Sequence, residues 1–216
     1  MSNSLIETTV LDDIMSIENQ NIILDFFEQD YVNWHYFDYV SSDVIVPYSE
    51  TKFPAYTINM TEENEKYNTI LQIIKKMQYD ICEKLDFKYM QNYRYKLNAY
   101  LPISDYTSTE LYRNIHVDAP VNHLVIIYYV NDNDAETLLF KNKRGYDSMS
   151  NQKTISEISD GNYDNIELIN SIPHKKGSVL IFDGSTLHSA KWSNKKNRYN
   201  INLNLVINNK SLKNLI

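Results

Sequence analysis

IHVDAPVNHLVIIYYV, residues 115–130, and GSVLIFDGSTLHSAKWSNKKNRYNINLNLV, residues 177–206, decide how this chain folds. In an extended strand, residues i and i+2 face the same side. His116 and Asp118 therefore point into one cavity from a strand end. An imidazole and a carboxylate on one face are two ligands for a divalent metal. His188 is the natural third, since it follows a buried-looking strand, GSVLIF, and a turn, DGST. Two histidines and one carboxylate form a facial set that leaves positions open on Fe(II). An H-x-D pair alone is weak, because unrelated chains contain one by chance and a lone histidine is more often structural. Its company gives it weight. Ten residues after His188, Arg198 heads an alternating strand, RYNINLNLV. On it Arg198, Asn200, Asn202 and Asn204 share one face, while Tyr199, Ile201, Leu203 and Leu205 share the other. Such a strand suits a wall between a polar cavity and a layer of helices. An arginine fixed there binds a carboxylate bidentately, which lysine does less well. A metal with open positions and an arginine one strand away suit a dicarboxylate that chelates at one end and forms an ion pair at the other.

Outward from these stretches the pattern is helices first, then strands. Residues 5–15 read as an edge strand. Ser16 is an N-cap for a helix over about 17–29 with Ile22, Ile23, Phe26 and Phe27 on one side. Residues 32–40 alternate aromatic and polar as a strand or connection, with His35 a packed or surface histidine. Residues 41–60 look irregular. Thr61, Glu62 and Glu63 open a helix to about residue 85, in which Ile70, Ile74, Met77, Ile81 and Leu85 recur at three or four residues. Strand-like runs follow at 93–101, 123–130, 136–140, 166–170, 178–182 and 198–207. Residues 141–165 are polar and nearly free of aliphatic side chains, which predicts a loop or insertion, either a lid or a surface segment. The order gives an α+β class with one domain over 1–216: a support region over 1–92 and a strand-rich core over 93–208.

Composition narrows the function classes. A formal net charge of −7 over 216 residues repels nucleic acid, and the KWSNKKNR cluster at 191–198 reads as a solvated turn. One cysteine, Cys82, excludes an internal disulfide and reads as a small buried hydrophobe. There is no basic n-region followed by an apolar run at the N-terminus and no long apolar stretch. The expectation is a soluble, cytoplasmic protein without a signal peptide or membrane span. Only 4 Gly stand against 18 Tyr, a usage that suits an AT-rich genome such as that of a virus, protist or bacterium.

The motifs run in order from about Lys96 to Val206, roughly half the chain: HVD at 116–118, IYYVN at 127–131, ETLLF at 136–140, PHKKGSVLIF at 173–182, LH at 187–188 and RYNINL at 198–203. In this the chain resembles the Fe(II)/2-oxoglutarate-dependent oxygenase superfamily, in particular its prolyl-4-hydroxylase-like branch. The resemblance implies a double-stranded β-helix, or jelly-roll, core with N-terminal helices packed on the major sheet. It implies His116, Asp118 and His188 as iron ligands and Arg198 as partner of the 2-oxoglutarate C5 carboxylate. Tyr129 and Tyr100 match tyrosines that hydrogen-bond the co-substrate. The implied cofactors are Fe(II), 2-oxoglutarate and O2, with ascorbate as an optional reductant. The implied reaction is hydroxylation of a C–H bond on a peptidyl, prolyl-type substrate. An oxygenase acting on a nucleobase or small metabolite, or a non-catalytic metal-binding jelly-roll, are the competing readings. Asp134 and Ala135 stand where relatives often carry Gly-Gly, and the stretch from Tyr100 to His116 is longer than in close relatives. His123 and His174 match no ligand position and read as structural, while Trp192 either shapes the pocket or packs under a loop.

Overall fold

The computed structural model describes residues 8–30, 32–37, 55–60, 67–103 and 115–207. Ten strands and three helices are present among them: β1 (Thr9–Leu11), α1 (Ile17–Phe27), β2 (His35–Phe37), β3 (Ala55–Asn59), α2 (Asn68–Lys84), β4 (Gln91–Tyr100), β5 (His123–Tyr129), β6 (Glu136–Asn142), α3 (Ser148–Ser159), β7 (Ile166–Pro173), β8 (Val179–Asp183), β9 (Leu187–Lys191) and β10 (Arg198–Val206). They form a seven-stranded sheet in the order β1-β8-β5-β10-β4-β3-β2 and a three-stranded sheet in the order β7-β6-β9. The strand pairs are antiparallel. A lone bridge between His116 and His188 adds a fourth rung beside β9. From β5 onward the chain alternates between the sheets, except that β6 and β7 are neighbours in the smaller one, so this is a double-stranded β-helix within an α+β fold.

Alternation along the major sheet sorts its side chains into two layers. Leu97, Leu124, Ile126, Tyr128, Ile181, Ile201, Leu203 and Leu205 face outward and pack against Ile23, Phe26 and Phe27 of α1 and Ile70, Ile74, Met77 and Ile81 of α2. Val125, Ile127, Tyr129, Leu180 and Phe182 face inward, toward Leu139 and Ile172 of the minor sheet. The helices thus rest on one face and leave the other to the cavity. Ser16 caps α1 by accepting the Asn19 N–H at 3.3 Å. Ile22 is exposed rather than packed, and Gln20 takes an inward position instead, donating to the Met15 carbonyl at 3.0 Å. Gly177 (φ +81°) turns the chain into β8, and a Cβ there would meet the Gln20 side chain at 2.8 Å. Cys82 is buried, which pushes its thiol up to about 11.

Two expectations need correction, and one strand was not read in the sequence. Residues 41–60 are not irregular throughout: β3 pairs with β4, placing Ile58 opposite Leu97. The run LHSAK at 187–191 is strand β9, held by β6. Residues 141–165 are the end of β6 followed by α3, not a loop. Asp147 caps α3 by accepting the Ser150 N–H at 3.0 Å. The buried face of α3 is half polar. Asn142 donates to Asn151 at 3.1 Å and accepts from Thr154 at 3.2 Å, and Asn151 donates to the Ser185 carbonyl at 3.0 Å. Ile155 and Ile158 close that face against Ile115, Leu138, Phe140, Ile166 and Leu187. The helix therefore braces the residues that precede His116 and His188. The expected helix start at Thr61 and the stretch before His116 (104–114) lie outside the described residues. Among the described residues no helix is long and apolar enough to cross a membrane.

Candidate metal centre

His116 and His188 exchange two backbone hydrogen bonds of 3.0 Å, which set their rings side by side with centroids 4.4 Å apart. The Asp118 Oδ1 atom lies 3.6 Å from Nε2 of His116 and 3.9 Å from Nε2 of His188. One ligand atom from each of the three residues falls within 4.8 Å of the others. The structure thus brings together the three residues singled out by their spacing. Nδ1 of His188 lies 3.0 Å from the Thr186 carbonyl. A carbonyl only accepts, so the proton sits on Nδ1 and the Nε2 lone pair faces the cluster. Burial, helped by neighbouring His116, lowers the His188 pKa to about 4, so the ring is neutral at pH 7. Burial pushes the Asp118 carboxyl up, but neighbouring His116, His188 and Arg94 prevail and hold it well below the usual range. A neutral imidazole and an ionised carboxylate are the donor states a divalent cation needs.

Asp118 is gripped from β4 and β10. Its Oδ1 is 3.0 Å from the Arg94 guanidinium, and its Oδ2 accepts from Asn202 and Asn204, each at 2.9 Å. Asn204 also accepts from Arg94 Nε at 2.9 Å, so the three side chains form one bracket. Arg94 was not singled out in the sequence. The signal was there in the alternation of Arg94, Lys96, Asn98 and Tyr100 on β4, which mirrors the polar face of β10.

The second half of the cavity lies at the other end of β10. Arg198 is 3% exposed and pairs in register with Tyr100, while Asn200 pairs with Tyr129. The Arg198 guanidinium carbon sits 5.5 Å from the centre of the Tyr100 ring, which also meets Trp192 in a T-shaped contact at 4.9 Å. Nε of Arg198 donates to Nδ1 of His174 at 3.1 Å, and Nη2 donates to the Thr137 hydroxyl at 2.9 Å. Thr137 also accepts from the Tyr129 hydroxyl at 2.8 Å. No carboxylate stands within ion-pair range of Arg198 among the described residues. Burial raises the pKa of both Tyr100 and Tyr129 despite the opposing Arg198 charge, so both stay protonated. Arg198, Tyr129 and Tyr100 are thus brought together, and Thr137 and His174 join them. His123 lies apart from this pocket: its Nδ1 is 2.6 Å from the Val121 carbonyl, and its ring fills the space where a Cβ on Gly184 would stand.

No family model and no curated protein sequence matches the chain. Solved structures share its fold. An oxidoreductase of the 2OG-Fe(II) oxygenase family from Burkholderia pseudomallei matches at TM-score 0.60 and 11% identity, over 92% of this chain and 84% of that one. A Trichoplax adhaerens prolyl hydroxylase, solved with a peptide fragment of the hypoxia inducible factor oxygen degradation domain, matches at TM-score 0.56 and 11% identity, over 97% and 86%. HygX from Streptomyces hygroscopicus, solved with nickel and 2-oxoglutarate, matches at TM-score 0.54 and 6% identity, over 93% and 82%. At these identities the likeness is one of fold.

Proposed function

We propose that this chain is an Fe(II)- and 2-oxoglutarate-dependent dioxygenase that hydroxylates a C–H bond, with a peptidyl, prolyl-type residue as substrate. The observation that carries the reading is a His116–Asp118–His188 cluster facing a strand, β10, that also holds a buried arginine with no carboxylate beside it among the described residues. The donor set fits a divalent iron. Arg198 lies four residues from Asn202 on one face of β10, about 13 Å along an extended strand, within reach of a short co-substrate chelated at the cluster. The bound Trichoplax peptide supports the peptidyl substrate class by likeness of fold.

In this reading His116, Asp118 and His188 hold the metal. When bound, iron supplies the oxidative chemistry that couples 2-oxoglutarate and O2 to hydroxylation, with succinate and CO2 as co-products and ascorbate as an optional reductant. The protein does the rest. Arg94, Asn202 and Asn204 keep Asp118 ionised and oriented. Arg198 receives the distal carboxylate of the co-substrate. Tyr129 and Tyr100 wall that pocket, and the flanking Phe182 and Trp192 rings keep water out.

The test is to mix the protein anaerobically with Fe(II) and 2-oxoglutarate and look for a metal-to-ligand charge-transfer band in the visible. O2 is then admitted and succinate measured. Both signals are expected, and the absence of both sinks the enzyme reading. Mass spectrometry for gain of one oxygen on candidate peptides, nucleosides and metabolites then reads the substrate class. Oxygen on a metabolite and on no peptide would overturn the peptidyl assignment.

A further inference from the structure

The two planar edges of the Arg198 guanidinium are used differently. Nε–H and the adjacent Nη2–H form its side edge. That edge is filled by His174 Nδ1 at 3.1 Å and Thr137 Oγ1 at 2.9 Å. The terminal edge, made by Nη1 and the other Nη2 hydrogen, has no hydrogen-bond partner among the described residues. A guanidinium donates only, so His174 must offer a lone pair at Nδ1 and carry its proton on Nε2. That Nε2 is buried and makes no hydrogen bond of ordinary geometry among the described residues. The ring hydrogen bond of sound geometry among the described residues is the one Nδ1 accepts from Arg198. The ring is further held by Tyr129, with centroids 4.4 Å apart, and by the Ala135 carbonyl, which accepts the His174 backbone N–H at 3.1 Å. Burial and the adjacent Arg198 charge hold the His174 pKa well below its ordinary value, with the Tyr199 carbonyl opposing them only weakly.

We infer that His174 is a positioning residue of the co-substrate pocket: as a neutral acceptor it clamps the side edge of Arg198, so that the terminal edge and the full positive charge remain for a ligand carboxylate. The inference rests on the proposed 2-oxoglutarate site and adds a role for a residue outside the iron-ligand set. Neutrality is the point. An acidic residue in its place would hold the same edge and cancel the charge, leaving nothing for an anion to neutralise. His174 sits with Arg198, four residues along β10 from the Asn202 that holds Asp118, so its replacement is expected to leave metal binding unchanged.

The test uses an isosteric pair. Asn puts a neutral oxygen where Nδ1 stands, and Asp puts a charged one there. The full chain, loaded with Fe(II) under argon, is titrated with 2-oxoglutarate by calorimetry, with thermal melting as a check on folding. His174→Asn is expected to bind within about threefold of the unaltered protein, and His174→Asp at least about tenfold more weakly. Equal affinities for the two variants overturn the inference, because a merely space-filling role would not distinguish them. Should the Asp variant fail to fold, His174→Leu takes its place: it lacks the acceptor and is expected to bind about tenfold more weakly than the Asn variant. Parity there is equally fatal. Nitrogen NMR of the His174 ring supplies a readout that needs no co-substrate. A proton on Nε2 is expected at neutral pH, and a proton on Nδ1 overturns the clamp. If the unaltered protein binds no 2-oxoglutarate while its ring shows the expected tautomer, the proposed function has failed and the clamp on Arg198 has not.

Discussion

At one end of the polar face of β10, a negative group is surrounded by its own protein. Asp118 takes an arginine and two carboxamides. At the other end a positive group has only neutral company among the described residues, a histidine, a threonine and an aromatic ring. Buried charges are normally paired within the protein. The cluster end obeys that rule and the Arg198 end does not. The difference separates a place where geometry must be held from a place where charge must be kept available. The first needs partners that fix an oxygen atom within a few tenths of an ångström. The second needs partners that orient a group without neutralising it.

That contrast can be broken from either side. The largest effect is expected from His188→Ala, which deletes a proposed ligand outright. Fe(II) affinity should fall by at least about 100-fold, more than the usual loss for removing a supporting residue, and succinate should disappear. Equilibrium dialysis and a succinate assay check it; retention of full activity would remove His188 from the ligand set. Next comes Arg198→Lys, which keeps the charge but loses the planar fork. The KM for 2-oxoglutarate should rise about tenfold while Fe(II) affinity stays put. A matching loss of metal affinity would mean the two ends are not separable. Asn204→Ala loosens the bracket on Asp118 and should weaken Fe(II) by about tenfold, with a smaller change in 2-oxoglutarate affinity of the metal-loaded protein.

The smallest effect is one of pH on the metal-free protein. The folded-state pKa of His188 is lowered to about 4, and that of His174 is also lowered, so between the unfolded value near 6.5 and about pH 4 the unfolded chain binds protons that the folded one does not. Stability is therefore expected to be highest above about pH 6.5 and to fall with pH through that window. Each such proton contributes up to about 1.4 kcal/mol per pH unit. Denaturant unfolding at pH 7, 6 and 5 measures it. A flat profile would place charged or solvated rings where the structure has neutral buried ones.

Much of this organisation was legible before any coordinates. RYNINLNLV separates its two faces by simple alternation, and each polar residue on it does face the cavity side, where Asn200 accepts from Asn98 at 2.9 Å. The helix periodicity of Ile70, Ile74, Met77 and Ile81 likewise marks the face that rests on the major sheet. What was not legible has physical reasons. LHSAK shows no alternation, and β9 exists because β6 and His116 supply its partners. Helix α3 hides its inward face because Asn151 and Thr154 replace half of the aliphatic stripe by a hydrogen-bonded network. His174 looked like any structural histidine because its partner Arg198 lies 24 residues away, and only the sheet topology brings them together.

The reciprocal backbone bridge between His116 and His188 has a consequence for the order of events during folding. The two residues are distant in sequence, and their rung cannot close until β9 has docked on β6. A cation meeting the unfolded chain finds no pre-assembled cluster to nucleate around. On the proposed function it would enter a nearly finished protein, after the cost of closing the intervening loop has been met by strand pairing and burial. Metal should accordingly act as a latch: it leaves the folding rate almost unchanged and slows unfolding, so that chelation shortens the lifetime of the native state without altering how it is reached.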